Sequence, residues 1–337
     1  MSVHSFGTLP DGSEVFEIRL GNASGATASI LTFGAAVRDL VVPLAGGGRR
    51  RVVLGFESLA AYLENNRFLG VLVGRHASRI DGGRLPLDGL VHQLSLNAGG
   101  VHLHGGATGF SRRLWRIVAA EESAVTLALT SPDGEDGYPA TLEVSLTYRL
   151  LEPAGLGVSI TATSDAPTVV SLAQHSYFTL LPGASIRSHR LRFDASRLVP
   201  FGSDMVPTGA LADVAGGAYD FRALRPIEAD GIAPDFAYDC CLVLDHPGDA
   251  ARIAARLEAP DGSLAMDVHT TEPCIVFYDG AGLAADWPGV GGDAHFAHAG
   301  LCLEPMRYPD NPNQPGFPSA RLDPGEVYRQ ETVYRFG

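Results

Sequence analysis

Four segments of this 337-residue chain set polar or ionisable residues inside apolar, strand-like runs. Burying such groups is costly unless they are paired or used. The first is Val101-His102-Leu103-His104-Gly105-Gly106. On a strand, His102 and His104 share a face, and two imidazoles so placed can bind one metal ion. A metal centre needs further ligands, and Gly105 to Phe110 supplies no carboxylate. The competing reading is a pair of structural histidines. The second segment is Leu172-Ala173-Gln174-His175-Ser176-Tyr177-Phe178. Histidine titrates near neutrality, so His175 suits acid or base work, or else is a satisfied core residue. The third, Gly300 to Pro309, carries Glu304 after an apolar run. A carboxylate there must be paired, solvated in a cleft, or raised in pKa, and Arg307 is one candidate salt-bridge partner. The fourth, Leu72 to Ile80, holds Arg75 and Arg79, which either clamp a ligand's polar groups or form structural ion pairs.

Other chemistries lack their motifs. There is no G-x-S-x-G elbow for a hydrolase serine. No P-loop or G-x-G-x-x-G stands between a strand and a helix, so nucleotide cofactors are not expected. Gly46-Gly47-Gly48 reads as a turn, and Arg49-Arg50-Arg51 after it as a solvated loop.

The elements that must position these residues are strands. Leu142, Val144, Leu146 and Tyr148 alternate with polar residues. So do Val125, Leu127 and Leu129, and Val158, Ile160 and Ala162. Such alternation marks half-buried antiparallel strands. Turn signals such as Pro132-Asp133-Gly134 and Asp261-Gly262 punctuate them, and 40 glycines with 22 prolines suit many turns and few long helices. One short helix is expected from Ser58 to Asn65, capped by Ser58, with Leu59, Tyr62 and Leu63 on one face. With no repeat and no linker-like stretch, residues 1–337 read as one large all-β domain, an antiparallel β-sandwich.

Composition narrows the partners. Hydrophobic residues are 45% of the chain, enough for a sizeable core, and the net charge of -13 repels phosphate backbones and anionic lipid. Neither nucleic acid nor membrane is an expected partner. No apolar run reaches the length of a membrane span and Met1 to Pro10 lacks the marks of a secretory signal, so a cytoplasmic protein is expected. Cys240, Cys241, Cys274 and Cys302 include no C-x-x-C pair, and adjacent Cys240 and Cys241 point to opposite faces of a strand; reduced thiols are the simplest reading.

Taken in order, the motifs resemble the aldose 1-epimerase (galactose mutarotase) family. The matching strings are Gly74 to Ile80, His102 to Gly106, Gly109-Phe110 with Leu114-Trp115, Gln174 to Phe178, and Leu303 to Ser319. Weaker matches are Ile30 to Gly34, Val53 to Phe56, Glu135 to Pro139 and Phe277-Tyr278. The resemblance implies a galactose mutarotase-like supersandwich and an isomerase needing neither metal nor redox cofactor. Its substrate would be a small free sugar, and its assembly a monomer or homodimer. It implies Glu304 as general base at the anomeric hydroxyl and His175 as general acid at the ring oxygen. A carboxylate and a protonated imidazole would supply that chemistry near pH 7. His104, Arg79, Ser78, Tyr177, Asp239 and Val276 are implied as the sugar-binding shell. The shell departs from the family pattern at Ser78 (commonly Asn), Cys240 (commonly His), Val276 (often Gln) and Thr179 (commonly Asn), so the reaction class is better specified than the preferred sugar. Four rival readings stand beside it. They are a non-catalytic sugar-binding protein, a metal enzyme built on His102 and His104, a glycosidase using Asp239 as second carboxylate, and an epimerase of a modified sugar.

Overall fold

The computed structural model describes residues 1–64, 66–229, 231–233 and 235–337. Three antiparallel sheets of nine, six and five strands carry most of the chain. The nine-stranded sheet holds the alternating segments. Leu142–Leu151 pairs along its whole length with Gly155–Ser164, and the latter pairs in turn with Tyr328–Phe336. Leu142, Val144, Leu146 and Tyr148 point inward, as the period-two pattern requires. They pack with Leu301, Leu303, Ile275, Phe277 and Leu242, which line one face of the six-stranded sheet. This is the sandwich core. Each fully buried side chain of this size contributes about 1.5–3 kcal/mol.

The six-stranded sheet runs in the order Tyr177–Phe178, Leu301–Met306, Cys274–Tyr278, Asp239–Val243, Arg197–Val199, Ala212–Asp213. It is covered on both sides, and every residue of Leu301–Met306 is buried. Its second face carries Cys302, Met306, Cys274, Val276 and Cys241 into a separate core with Val71 and Val73. The five-stranded sheet serves both cores, giving Ile18 and Ile30 to the first and Val15 and Leu31 to the second.

Arg49-Arg50-Arg51 is not a loop. It forms an edge strand paired with Val41, Val42 and Pro43. Arg51 binds Asp39 at 2.8 Å and Arg50 donates to the Leu180 carbonyl at 2.7 Å, so both guanidinium groups are hydrogen-bonded along the strand. The short helix spans Leu59–Glu64, with the Ala61 N–H donating to Ser58 Oγ at 3.4 Å; Asn65 lies outside the described residues. All four cysteines are free and buried, with Cys240 in the first core and Cys241 in the second. No helix among the described residues is long and apolar enough to cross a membrane.

Candidate active site

The second face of the six-stranded sheet is the floor of the site. Glu304 pairs with Val276, which pairs with Cys241; the neighbouring row is Tyr177, Cys302, Tyr278 and Asp239. Because side chains two apart on a strand share a face, these rows project Glu304, Val276, Asp239 and Tyr177 the same way. Above them lies an open cleft of ≈ 430 Å³. It brings together all eight residues singled out in the sequence: Glu304, His175, His104, Arg79, Ser78, Tyr177, Asp239 and Val276.

His175 is fixed at its backbone, where its N–H donates to the Val71 carbonyl and its carbonyl accepts from Gly70. Its Nε2 lies 3.5 Å from Glu304 Oε1. Both side chains are nearly inaccessible, and Glu304 Oε2 has no hydrogen-bond partner. Burial decides their resting charge. It pulls His175 down to about 4. It pushes Glu304 well above the usual carboxylate range, helped by the nearby Asp239 charge and opposed by Arg79. Burial thus favours the neutral pair, Glu304 protonated and His175 uncharged. The sequence reading assigned the charged arrangement. That arrangement holds the same number of protons and differs only by one transfer between Oε1 and Nε2.

His104 follows the two-residue strand His102–Leu103, which pairs with Arg79–Ile80. Ser78 and His104 both have positive φ, at 62° and 52°. They lock together: the His104 N–H donates to the Ser78 carbonyl at 2.9 Å, and the Ser78 N–H donates to His104 Nδ1 at 3.2 Å. The second bond makes Nδ1 an acceptor and puts the proton on Nε2, so neutral His104 is a hydrogen-bond donor. Burial and the neighbouring His175 and Arg79 keep it neutral. Across the cleft, Arg79 binds Asp239 at 3.2 Å. Tyr177 donates its hydroxyl to the Arg67 carbonyl at 2.9 Å and so presents its ring.

Several candidates go elsewhere. The left-handed turn at His104 takes it off the strand face of His102, so the two do not form a metal pair. Both His102 nitrogens are engaged, by the Ser95 carbonyl and by the Tyr138 hydroxyl, each at 2.7 Å. His104, His175 and Glu304 do cluster, with one ligand atom of each within 4.8 Å of the others. A metal would need the His104 Nε2 lone pair, forcing a proton onto Nδ1 against the Ser78 N–H, so this donor set does not fit one. Arg75 is buried among the carbonyls of Ser131, Pro139 and Ala140. Arg307 lies beyond the end of the Glu304 strand and reaches Glu272 at 3.5 Å instead. Cys240 faces the sandwich core, and Thr179 is buried outside the cleft lining.

The aromatic wall residues Phe68 and Tyr278, and Cys302 buried behind His175, are not marked as functional by the sequence. Phe68, at φ 56°, sets its ring 4.7 Å from His104 and 5.8 Å from His175. Nothing in Arg67-Phe68-Leu69 marks it. Cys302 Sγ lies 3.5 Å from His175 Nδ1, a contact that its place in the sequence does not announce. Tyr278, seen only as a weak motif match, faces the cleft and accepts from the Gly282 N–H at 2.6 Å. The Asp239 carboxylate is engaged by Arg79, which weakens a glycosidase reading that needs it as the second catalytic carboxylate.

Comparison with known proteins agrees along the whole chain. The model of the aldose 1-epimerase family matches residues 17–335. Aldose 1-epimerase of Escherichia coli K12 is 34% identical over 335 residues, covering 97% of this chain and 96% of that protein. Galactose mutarotase of Mus musculus is 35% identical over 341 residues, covering 98% and 97%. The fold superimposes on an aldose epimerase homologue from C. elegans with a TM-score of 0.90 at 29% identity, over 95% of this chain and 98% of that one. A galactose 1-epimerase from Lactobacillus acidophilus gives 0.84 at 26% identity, over 100% and 98%. By sequence and by fold, this chain belongs to the aldose 1-epimerase family.

Proposed function

We propose that this chain is an isomerase that interconverts the α and β anomers of a free aldose such as glucose or galactose, with Glu304 as base and His175 as acid. The observation that carries the assignment is the buried carboxyl of Glu304, 3.5 Å from His175 Nε2 and with Oε2 unpartnered at the floor of an open cleft. A carboxyl left so is expensive to fold around unless a ligand completes it.

The steps balance without any other reactant. Glu304 carboxylate takes the proton from the anomeric O–H. That oxygen's electron pair forms the carbonyl, the bond from C1 to the ring oxygen breaks, and the ring oxygen takes the proton from His175 Nε2. The pair is then neutral, the state that burial favours, and waits so while the C1–C2 bond rotates. Reversal closes the ring on the other carbonyl face. His104 Nε2–H and Arg79 supply donors to sugar oxygens, Asp239 accepts from hydroxyls, and Phe68 and Tyr177 wall out water. A purely sugar-binding protein is not favoured, since it leaves the two buried partners unused.

The first and last long strands share one core, Ile18 with Tyr334, which supports residues 1–337 acting as one domain. We further take the protein as a cytoplasmic monomer or homodimer with no nucleic-acid partner, a reading supported by its net charge of -13.

Polarimetry of freshly dissolved α-glucose and α-galactose tests the activity. The protein should speed the approach to equilibrium. An unchanged spontaneous rate for both, and for a panel of pentoses and deoxysugars, would overturn the reading.

A further inference from the structure

The strand Cys274–Tyr278 gives the cleft two side chains, Val276 and Tyr278. Val276 is apolar, so of the two only the Tyr278 hydroxyl can make a hydrogen bond there. The Gly282 N–H donates to that oxygen at 2.6 Å. A methyl group at residue 282 would come within 2.7 Å of it, so the close approach requires glycine. A phenol both accepts and donates. Its accepting side is filled by Gly282, and among the described residues the structure shows no acceptor for its proton. Directly across from Tyr278 on the neighbouring strand stands Asp239, and side chains so paired start about 5 Å apart. Arg79 engages the Asp239 Oδ2 at 3.2 Å, leaving Oδ1 for another donor. A donor beside an acceptor matches a hydroxyl, which takes one bond and gives one.

We propose that Tyr278 is a specificity-determining residue, its hydroxyl donating to one non-anomeric hydroxyl of the sugar while Asp239 accepts from the same hydroxyl. The inference rests on the cleft taking a free aldose, as proposed above, and adds how that aldose is read. Glu304 stands opposite Val276 and works at C1. Tyr278 lies two residues farther along the strand on the same face, and so meets a different oxygen. The T-shaped contact with Tyr177, with ring centroids 6.1 Å apart, steadies its ring. Burial pushes the phenol above its ordinary range, so it keeps its proton and remains a donor at neutral pH. A sugar without the partner hydroxyl leaves the Tyr278 donor with nothing to bind, and that is the source of the discrimination.

The test compares full-length wild type with Tyr278→Phe on galactose and on its monodeoxy derivatives, each lacking one non-anomeric hydroxyl. Polarimetry gives kcat and KM, and titration calorimetry gives affinity. For galactose, kcat/KM should fall about 5-fold in the variant, mostly through KM, the size of one neutral hydrogen bond. One deoxysugar should be handled equally by both proteins, because the hydroxyl it lacks is the partner of Tyr278. The others should show the same loss as galactose. If the Tyr278 hydroxyl served only to hold Gly282, every sugar would lose alike, and that result overturns the proposal. So does the absence of a loss for any sugar. If wild type turns over none of the panel, calorimetry carries the same comparison. An affinity weakened in Tyr278→Phe for all but one deoxysugar would then uphold the contact and overturn the ring-opening chemistry alone. A wild type that neither turns over nor binds these sugars overturns both.

Discussion

Buried histidines should cost stability as pH drops from 7 to 5, and replacing His189 by Gln should remove a measurable share of that cost. Burial pulls His102, His175 and His189 from 6.5 down to about 4. A base whose folded pKa is depressed binds fewer protons folded than unfolded. Its contribution is therefore fully present above pH 6.5 and is lost as pH falls toward 4. At 1.36 kcal/mol per pKa unit the full loss is on the order of 3 kcal/mol for each histidine, of which about 2 kcal/mol has gone by pH 5. Three such residues approach the 5–15 kcal/mol that typically holds a domain together. Glu272 works in the opposite sense. Its carboxyl, buried against Tyr328, is pushed up to about 7, so it favours the fold as pH falls from 7 toward 4.5 and offsets about one histidine; Glu304, also raised, acts in the same direction. His189 isolates the effect because it lies outside the cleft. Its Nε2 accepts from the Leu180 N–H at 3.2 Å, which a Gln oxygen can also do, while its Nδ1 has no partner. Urea unfolding followed by circular dichroism at pH 7 and pH 5 gives the comparison. The fall between the two should be about 2 kcal/mol smaller in His189→Gln than in wild type. Equal falls would refute the reasoning.

Three further outcomes follow from the cleft. Ser78→Asn places at φ 62° a residue that tolerates the left-handed region better, and should raise stability by about 1 kcal/mol in a urea melt; a lower midpoint would show that the larger side chain does not fit. Val276→Gln adds an amide beside Glu304 and should change the ratio of kcat/KM for galactose to that for glucose about 10-fold in favour of galactose, while an unchanged ratio would clear Val276 of any role in choosing the sugar. Arg79→Met removes the charge that opposes the upward shift of Glu304 and leaves Asp239 unneutralised. The alkaline limb of the kcat/KM profile, where the pair loses the Glu304 proton, should then move to higher pH, and a limb that stays in place would count against Glu304 as the titrating base.

Legibility in the sequence followed the physics of each sheet. The nine-stranded sheet has one face on the core, so its hydrophobic side chains alternate and could be read from Leu142 to Tyr148 directly. The six-stranded sheet is buried on both faces. Leu301–Met306 consequently is apolar on both faces apart from Glu304 and shows no alternation, which conceals which face Glu304 joins and that Cys302 joins it. The eight site residues were nominated by polar groups inside apolar runs and by family resemblance, and the cleft gathers them from segments more than 200 positions apart. Resting charge was not legible, because it depends on how dry the site is. An isolated carboxylate and imidazole at neutral pH would be charged and partly charged, whereas burial pushes both toward their neutral forms. Nor was Phe68 legible, since its contacts arise from one left-handed residue that no local motif announces. The arginine edge strand was missed because its three charges find partners 12 to 242 positions away.

The most direct test of the account is polarimetry on Glu304→Gln, His175→Asn and the double variant. If the two residues are one acid–base unit, each single change should lower kcat by about 10²–10⁴-fold, and the double variant should be little worse than either. Single variants that keep near-wild-type rates, or losses that multiply in the double variant, would contradict it.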